Sequence, residues 1–80
     1  MKLKEAIAQR ILELCEQRHI TVNKLSMICG MTQSTINNIV NSGSKRPTVA
    51  TVQKICYGLG ISLGEFFTSE LFLNLEQEYE

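Results

Sequence analysis

Gly30 divides residues 21–40, TVNKLSMICGMTQSTINNIV, into two segments that share one apolar rhythm. Leu25, Ile28 and Cys29 stand at i, i+3 and i+4, and Ile36, Ile39 and Val40 repeat that spacing, so each segment predicts a short amphipathic helix. Gly30 supplies the left-handed backbone conformation that ends the first helix, while Thr21 and Thr32 are placed to cap the two starts. The turn between them is therefore short and rigid. On the second helix the residues left to face outward are Gln33, Ser34, Thr35, Asn37 and Asn38. All are polar and uncharged, and all can donate and accept hydrogen bonds, which is what reading base edges in a DNA major groove requires. An ordinary solvated helix face uses such residues too, but it usually carries Lys, Glu or Arg as well.

The rest of the chain reads as helices that hold this pair. Leu3, Ile7, Ile11 and Leu14, with Ala6 and Cys15 beside them, form the buried stripe of a first helix reaching about Arg18, with Lys4, Glu5, Gln9, Glu13 and Glu16 facing out. After a turn-rich Asn41-Ser42-Gly43-Ser44, Pro47 ends a loop and Thr48 caps a helix whose buried side is expected to be Val49, Val52, Ile55, Cys56 and Leu59. Gly58 and Gly60 bracket its end, Ser62 caps again, and Leu63, Phe66 and Phe67 supply a fifth short helix. Beyond it Leu71, Phe72, Leu75 and Tyr79 make an apolar strip among glutamates, compatible with a sixth helix packed on the domain or on a second copy. No segment alternates as a strand would. Eighty residues allow one small all-α domain with a modest core.

Eight basic and eight acidic residues cancel overall, which at first argues against an anionic ligand. Their distribution reverses that argument. Residues 17–64 hold Arg18, Lys24, Lys45, Arg46 and Lys54 and no acid, whereas residues 65–80 hold five glutamates and no base. A basic middle of this kind points to an anionic partner. The N-terminus lacks the apolar run and small-residue site of a secretory signal, and no stretch approaches the ~18 apolar residues of a membrane span, so a cytoplasmic protein is expected. Cys15, Cys29 and Cys56 are odd in number, far apart and at apolar helix positions, which suits buried thiols and neither a disulfide framework nor a metal site. Cys15 and His19 could pair as thiol and imidazole, but no acid or oxyanion site accompanies them, so no enzyme activity is expected.

These residues together resemble the phage repressor and Cro type of helix-turn-helix domain, the XRE family of bacterial and phage transcriptional regulators. Counting from Val22, the family's apolar fourth, small fifth, apolar eighth, Gly ninth and apolar tenth, fifteenth and eighteenth positions are filled by Leu25, Ser26, Cys29, Gly30, Met31, Ile36 and Ile39. The loop ending Lys45-Arg46-Pro47-Thr48 and the segment Leu59-Gly60-Ile61-Ser62-Leu63 to Phe66-Phe67 are similar to the family's basic loop and closing helix. The resemblance runs from about Ile7 to Phe67, which divides the chain into a helix-turn-helix domain, 1–67, and an acidic amphipathic tail, 68–80.

The resemblance implies a lambda-repressor-like five-helix bundle, with an additional C-terminal helix allowed by the tail. It also implies a sequence-specific regulator of bacterial or phage origin that binds double-stranded DNA, acting as a repressor. By position, Gln33, Ser34, Thr35, Asn37 and Asn38 become base readers, while Thr21, Asn23, Lys24, Asn41, Ser44, Lys45 and Arg46 become phosphate contacts. A homodimer through Phe66, Phe67, Leu71, Phe72 and Leu75 is expected, with no cofactor, metal, membrane or small-molecule ligand. The alternative is the same fold serving as an antitoxin or anti-repressor through protein contacts made by the tail. Two departures from the family pattern stand out. Val22 replaces a common phosphate-anchoring Gln, and Cys15 and Val40 occupy the places of a frequent Arg and Glu pair, so the two are expected to touch.

Overall fold

The computed structural model of the protein describes residues 1–41 and 46–77. Five α-helices follow one another, α1 (Leu3–Gln17), α2 (Val22–Cys29), α3 (Gln33–Val40), α4 (Val49–Leu59) and α5 (Leu63–Phe67), and no strand occurs among the described residues. Helix starts are fixed locally. The hydroxyls of Thr21, Thr32, Thr48 and Ser62 accept from the amides of Lys24, Thr35, Thr51 and Glu65 at 3.0, 3.2, 3.1 and 3.0 Å, so each satisfies one backbone donor its helix cannot. At the start of α1, where Lys2 has no side-chain acceptor, the Glu5 carboxylate accepts from the Lys2 amide at 2.8 Å instead.

Three helices end by one device. A residue in the left-handed region follows α1, α2 and α4, and the next amide reaches back to a carbonyl of the last turn: Ile20 to Cys15, Met31 to Ser26 and Ile61 to Cys56, each at 3.0 Å. Gly30 (φ 66°) and Gly60 (φ 70°) fill that place after α2 and α4, as their lack of a Cβ favours. After α1 it is His19, at φ 55°, a conformation that the sequence alone did not suggest for a non-glycine residue.

Ile7, Ile11, Leu14, Cys15, Leu25, Ile36, Ile39, Val52, Ile55, Cys56, Leu59 and Phe66 form one core contributed by all five helices. Each fully buried side chain of this size contributes about 1.5–3 kcal/mol. Cys15 belongs to that core and Val40 packs against it, beside a cleft whose α1 walls are Lys4, Glu5, Ala8, Gln9 and Leu12. Three apolar residues assigned to buried stripes lie at their edges instead. Leu3, Ile28 and Val49 are exposed, because Leu3 and Val49 open their helices, where no preceding turn covers them, and Ile28 sits on the flank of α2.

The tail is not a sixth α-helix. Glu70–Phe72 form a single 3-10 turn, capped by the Ser69 hydroxyl, after which the chain runs extended and reverses at Asn74 (φ 57°). Phe72 packs against the core and rings with Phe66 and Phe67 at centroid distances of 6.2 and 4.9 Å. The turn lies on α1, and at its far end the Glu76 amide donates to the Met1 carbonyl at 3.1 Å. The Glu76 carboxylate accepts from the Met1 ammonium at 3.0 Å, and that bond and charge hold its pKa below the usual carboxylate range. A charged residue of α1, Arg10, is also buried. Arg10 donates from Nε to the Phe66 carbonyl at 2.6 Å and from its terminal nitrogen to the Glu65 carbonyl at 2.8 Å, and it pairs with Glu13. It thereby satisfies the Phe66 carbonyl at the end of α5 and adds a second donor to the Glu65 carbonyl, which also accepts from the Thr68 amide at 3.3 Å.

Candidate nucleic-acid interface

Helix α3 presents a polar, uncharged side because its other side is committed to the core. Ile36 and Ile39 are buried and Val40 is packed against α1 and the core, which turns Gln33, Ser34 and Asn38 to the exterior and leaves Thr35 and Asn37 half-buried at the flanks. Rotation of α3 is fixed by those aliphatic contacts, and its lengthwise position by the Gly30 turn. Ser26, buried where α2 meets the bundle, donates its hydroxyl to the Asn23 carbonyl at 2.7 Å, so a polar group at that crossing is satisfied within its own helix.

The outward side chains differ in how much hydrogen-bonding capacity they keep. Thr32 and Thr35 share a hydroxyl–hydroxyl bond of 2.7 Å in addition to the cap, which holds both side chains at the start of α3. Asn41 donates from Nδ2 to Asn37 Oδ1 at 3.3 Å, linking the last turn of the helix to the residue beyond it. Asn38 also has a partner within the protein. Gln33 and Ser34 stand exposed in the first turn, where unpaired backbone amides add partial positive charge.

Of the residues expected to meet phosphate, Thr21, Asn23, Lys24, Asn41 and Arg46 are all exposed. Thr21 uses its oxygen as the α2 cap and keeps its O–H to donate outward. Arg46 already has an interaction in the protein and lines, with Leu3, Lys4, Ile7 and Pro47, a cleft between α1 and the approach to α4. Lys4 thus joins the basic side of the molecule, a placement with no local sequence signal because 42 positions separate it from Arg46. Ser44 and Lys45 lie outside the described residues, as does Tyr79 of the tail strip.

The thiols are set up for packing. Burial pushes the pKa values of Cys15, Cys29 and Cys56 up, which favours the protonated thiol, and His19 stands exposed beyond the helix end. Among the described residues no group of three or more His, Cys, Asp or Glu is arranged to hold a metal ion, and no helix is long and apolar enough to cross a membrane.

A family model for the Cro/C1-type HTH DNA-binding domain matches residues 10–70. The chain belongs to that family. It is a DNA-binding domain of the kind found in transcription regulators. Its fold is similar to the crystal structure of the prophage Lp1 protein 11, with a TM-score of 0.77 and 38% sequence identity over 86% of this chain and 92% of that one. No curated protein sequence matches it. The all-helical Cro/C1-type bundle is therefore the fold, as the resemblance implied.

Proposed function

We propose that this Cro/C1-type domain is a sequence-specific regulator that places α3 in the major groove of an operator half-site and represses transcription as a homodimer. The observation that carries the reading is the exposed face of α3, polar and without charge, on a domain whose family binds DNA. In this reading Gln33, Ser34, Thr35, Asn37 and Asn38 supply the base contacts. Gln or Asn can pair bidentately with adenine, which favours half-sites containing A·T pairs. Thr21, Asn23, Lys24, Asn41, Ser44, Lys45 and Arg46 hold phosphates and set the register. The helix-turn-helix domain spans 1–67 and the tail 68–80, and within that tail Glu70–Phe72 and Glu76 brace the domain through α1 and Met1.

The dimer surface needs one revision. Phe66 is 0% exposed in its own protomer, so it supports the surface from beneath and cannot meet a second copy. Phe67 and the half-buried Leu71, Phe72 and Leu75 remain for that role. The antitoxin or anti-repressor alternative rested on the same tail strip, and for both readings the part of Phe72 that packs against the chain's own core is not available.

Selection from a random duplex pool tests the proposal. A palindromic site should be enriched, with half-sites about 34 Å apart or a multiple of that, and Gln33→Ala or Asn38→Ala should change its preferred bases. Binding that is salt-dependent but indifferent to sequence would refute specific reading, and enrichment of a single half-site bound by a monomer would refute the dimer.

A further inference from the structure

The seam between α2 and α4 carries a feature that DNA binding does not use. Ile28, Cys29, Gln53, Lys54, Tyr57 and Gly58 line an open groove of about 250 Å³. Its rims are apolar and exposed to an unusual degree. Tyr57 is 88% exposed and Ile28 41%, while Met27, next to Ile28 in the chain, is 69% exposed. Val49, also 69% exposed, stands two helical turns before Tyr57 with Gln53 between them at i+4, so the strip extends ~12 Å along α4. Tyr and Met are residue types that protein interfaces favour, and exposed apolar patches of this kind mark binding surfaces.

The floor of the groove depends on a glycine. A Cβ at Gly58 would lie 2.7 Å from Cys29 Sγ, 3.2 Å from Cys29 Cα and 3.3 Å from Ile28 Cγ2, so the two helices approach more closely than any other residue there would allow.

We propose that this groove docks an acidic amphipathic helix of a protein partner. Its volume falls below the roughly 300–1,000 Å³ of drug-sized pockets, and an open strip two turns long suits anchors spaced i, i+4 on a partner helix. Charge selects the sign of that partner. Lys54 stands in the groove, and neither of the helices that wall it, α2 and α4, contains an acid. A phosphate backbone would share the sign but offers nothing to cover Tyr57, Ile28 and Val49. The tail of a second copy is acidic, but it lies on its own α1.

NMR titration of the full chain with a synthetic helical peptide, bearing Leu at i and i+4 and Glu between, tests this against the same peptide with Lys for Glu. The acidic peptide should shift the amides of Ile28, Gln53, Tyr57 and Gly58, leave those of Gln33 to Asn38 unmoved, and bind more tightly than the basic one. Tyr57→Ala should weaken it at least tenfold, as an interface anchor does, and Lys54→Glu should reverse the preference between the peptides. Neither change should alter the melting temperature or duplex affinity. The proposal is overturned by absence of peptide binding, by equal affinity for both peptides, or by shifts confined to α3. It is also overturned if Tyr57→Ala abolishes self-association, which makes a second copy the occupant, or if Lys54→Glu weakens duplex binding, which makes the lysine a phosphate contact.

Discussion

Helices α3 and α4 both lean on α2, yet they show opposite surfaces to solvent. The outer side of α3 is Gln33, Ser34 and Asn38, while that of α4 is Val49, Gln53, Lys54 and Tyr57. The α4 face thus mixes two large exposed apolar side chains with a polar and a basic one, whereas that of α3 carries no apolar or charged group. Such a difference fits the two proposed partners, one met through hydrogen bonds and the other through buried apolar area.

The comparison breaks most visibly where the α4 face is built. Gly58→Val forces α2 and α4 apart and should cost about 2–3 kcal/mol of stability by overpacking, read as a lower denaturant midpoint. Adding Cys29→Ala should recover part of the loss, since Sγ is the nearest atom. An unchanged midpoint for Gly58→Val would show that the seam is looser than drawn. Arg10→Met touches neither face but removes the donors that close α5, and should cost about 2 kcal/mol with α3 and α4 surfaces intact. Here the check is that the surviving folded protein still selects the same duplex.

Smaller changes sharpen the contrast. Gln33→Ala should leave stability within about 0.5 kcal/mol while lowering affinity for the selected site about tenfold or more relative to a scrambled one, measured by competition at fixed salt. Thr32→Ala removes a cap and should cost about 1 kcal/mol, weakening all duplexes alike because the first turn of α3 loses its anchor. The smallest effect is expected from Val49→Gln, within about 0.5 kcal/mol and silent in duplex binding. A clear destabilisation there would mean that Val49 is packed after all.

What the sequence made legible was local. Each cap and each glycine helix end depends on residues within one turn, and so Thr21, Gly30, Thr32, Thr48, Gly60 and Ser62 were readable without a fold. The exposure of Gln33, Ser34 and Asn38 followed from helical spacing. What remained hidden was set by distant parts of the chain. Arg10 is buried because α5 arrives beside it 55 residues later, and the tail coils into a 3-10 turn because α1 is there to receive Phe72. His19 adopts a left-handed backbone because Ile20 must enter the core immediately after α1 ends. Within the candidate site, the bonds between Thr32 and Thr35 and between Asn37 and Asn41 depend on rotamers that spacing does not determine.

The grip of Arg10 on the carbonyls of Glu65 and Phe66 also orders events during synthesis. Residues from the beginning of the chain wait for ones near its end. Until Phe66 has left the ribosome, Ile7, Ile11 and Leu14 can close only on α2, α3 and α4, and Arg10 lacks its acceptors. Helix α3, made halfway through, rests on α1 and α2, so the partners it needs are already synthesised when it appears.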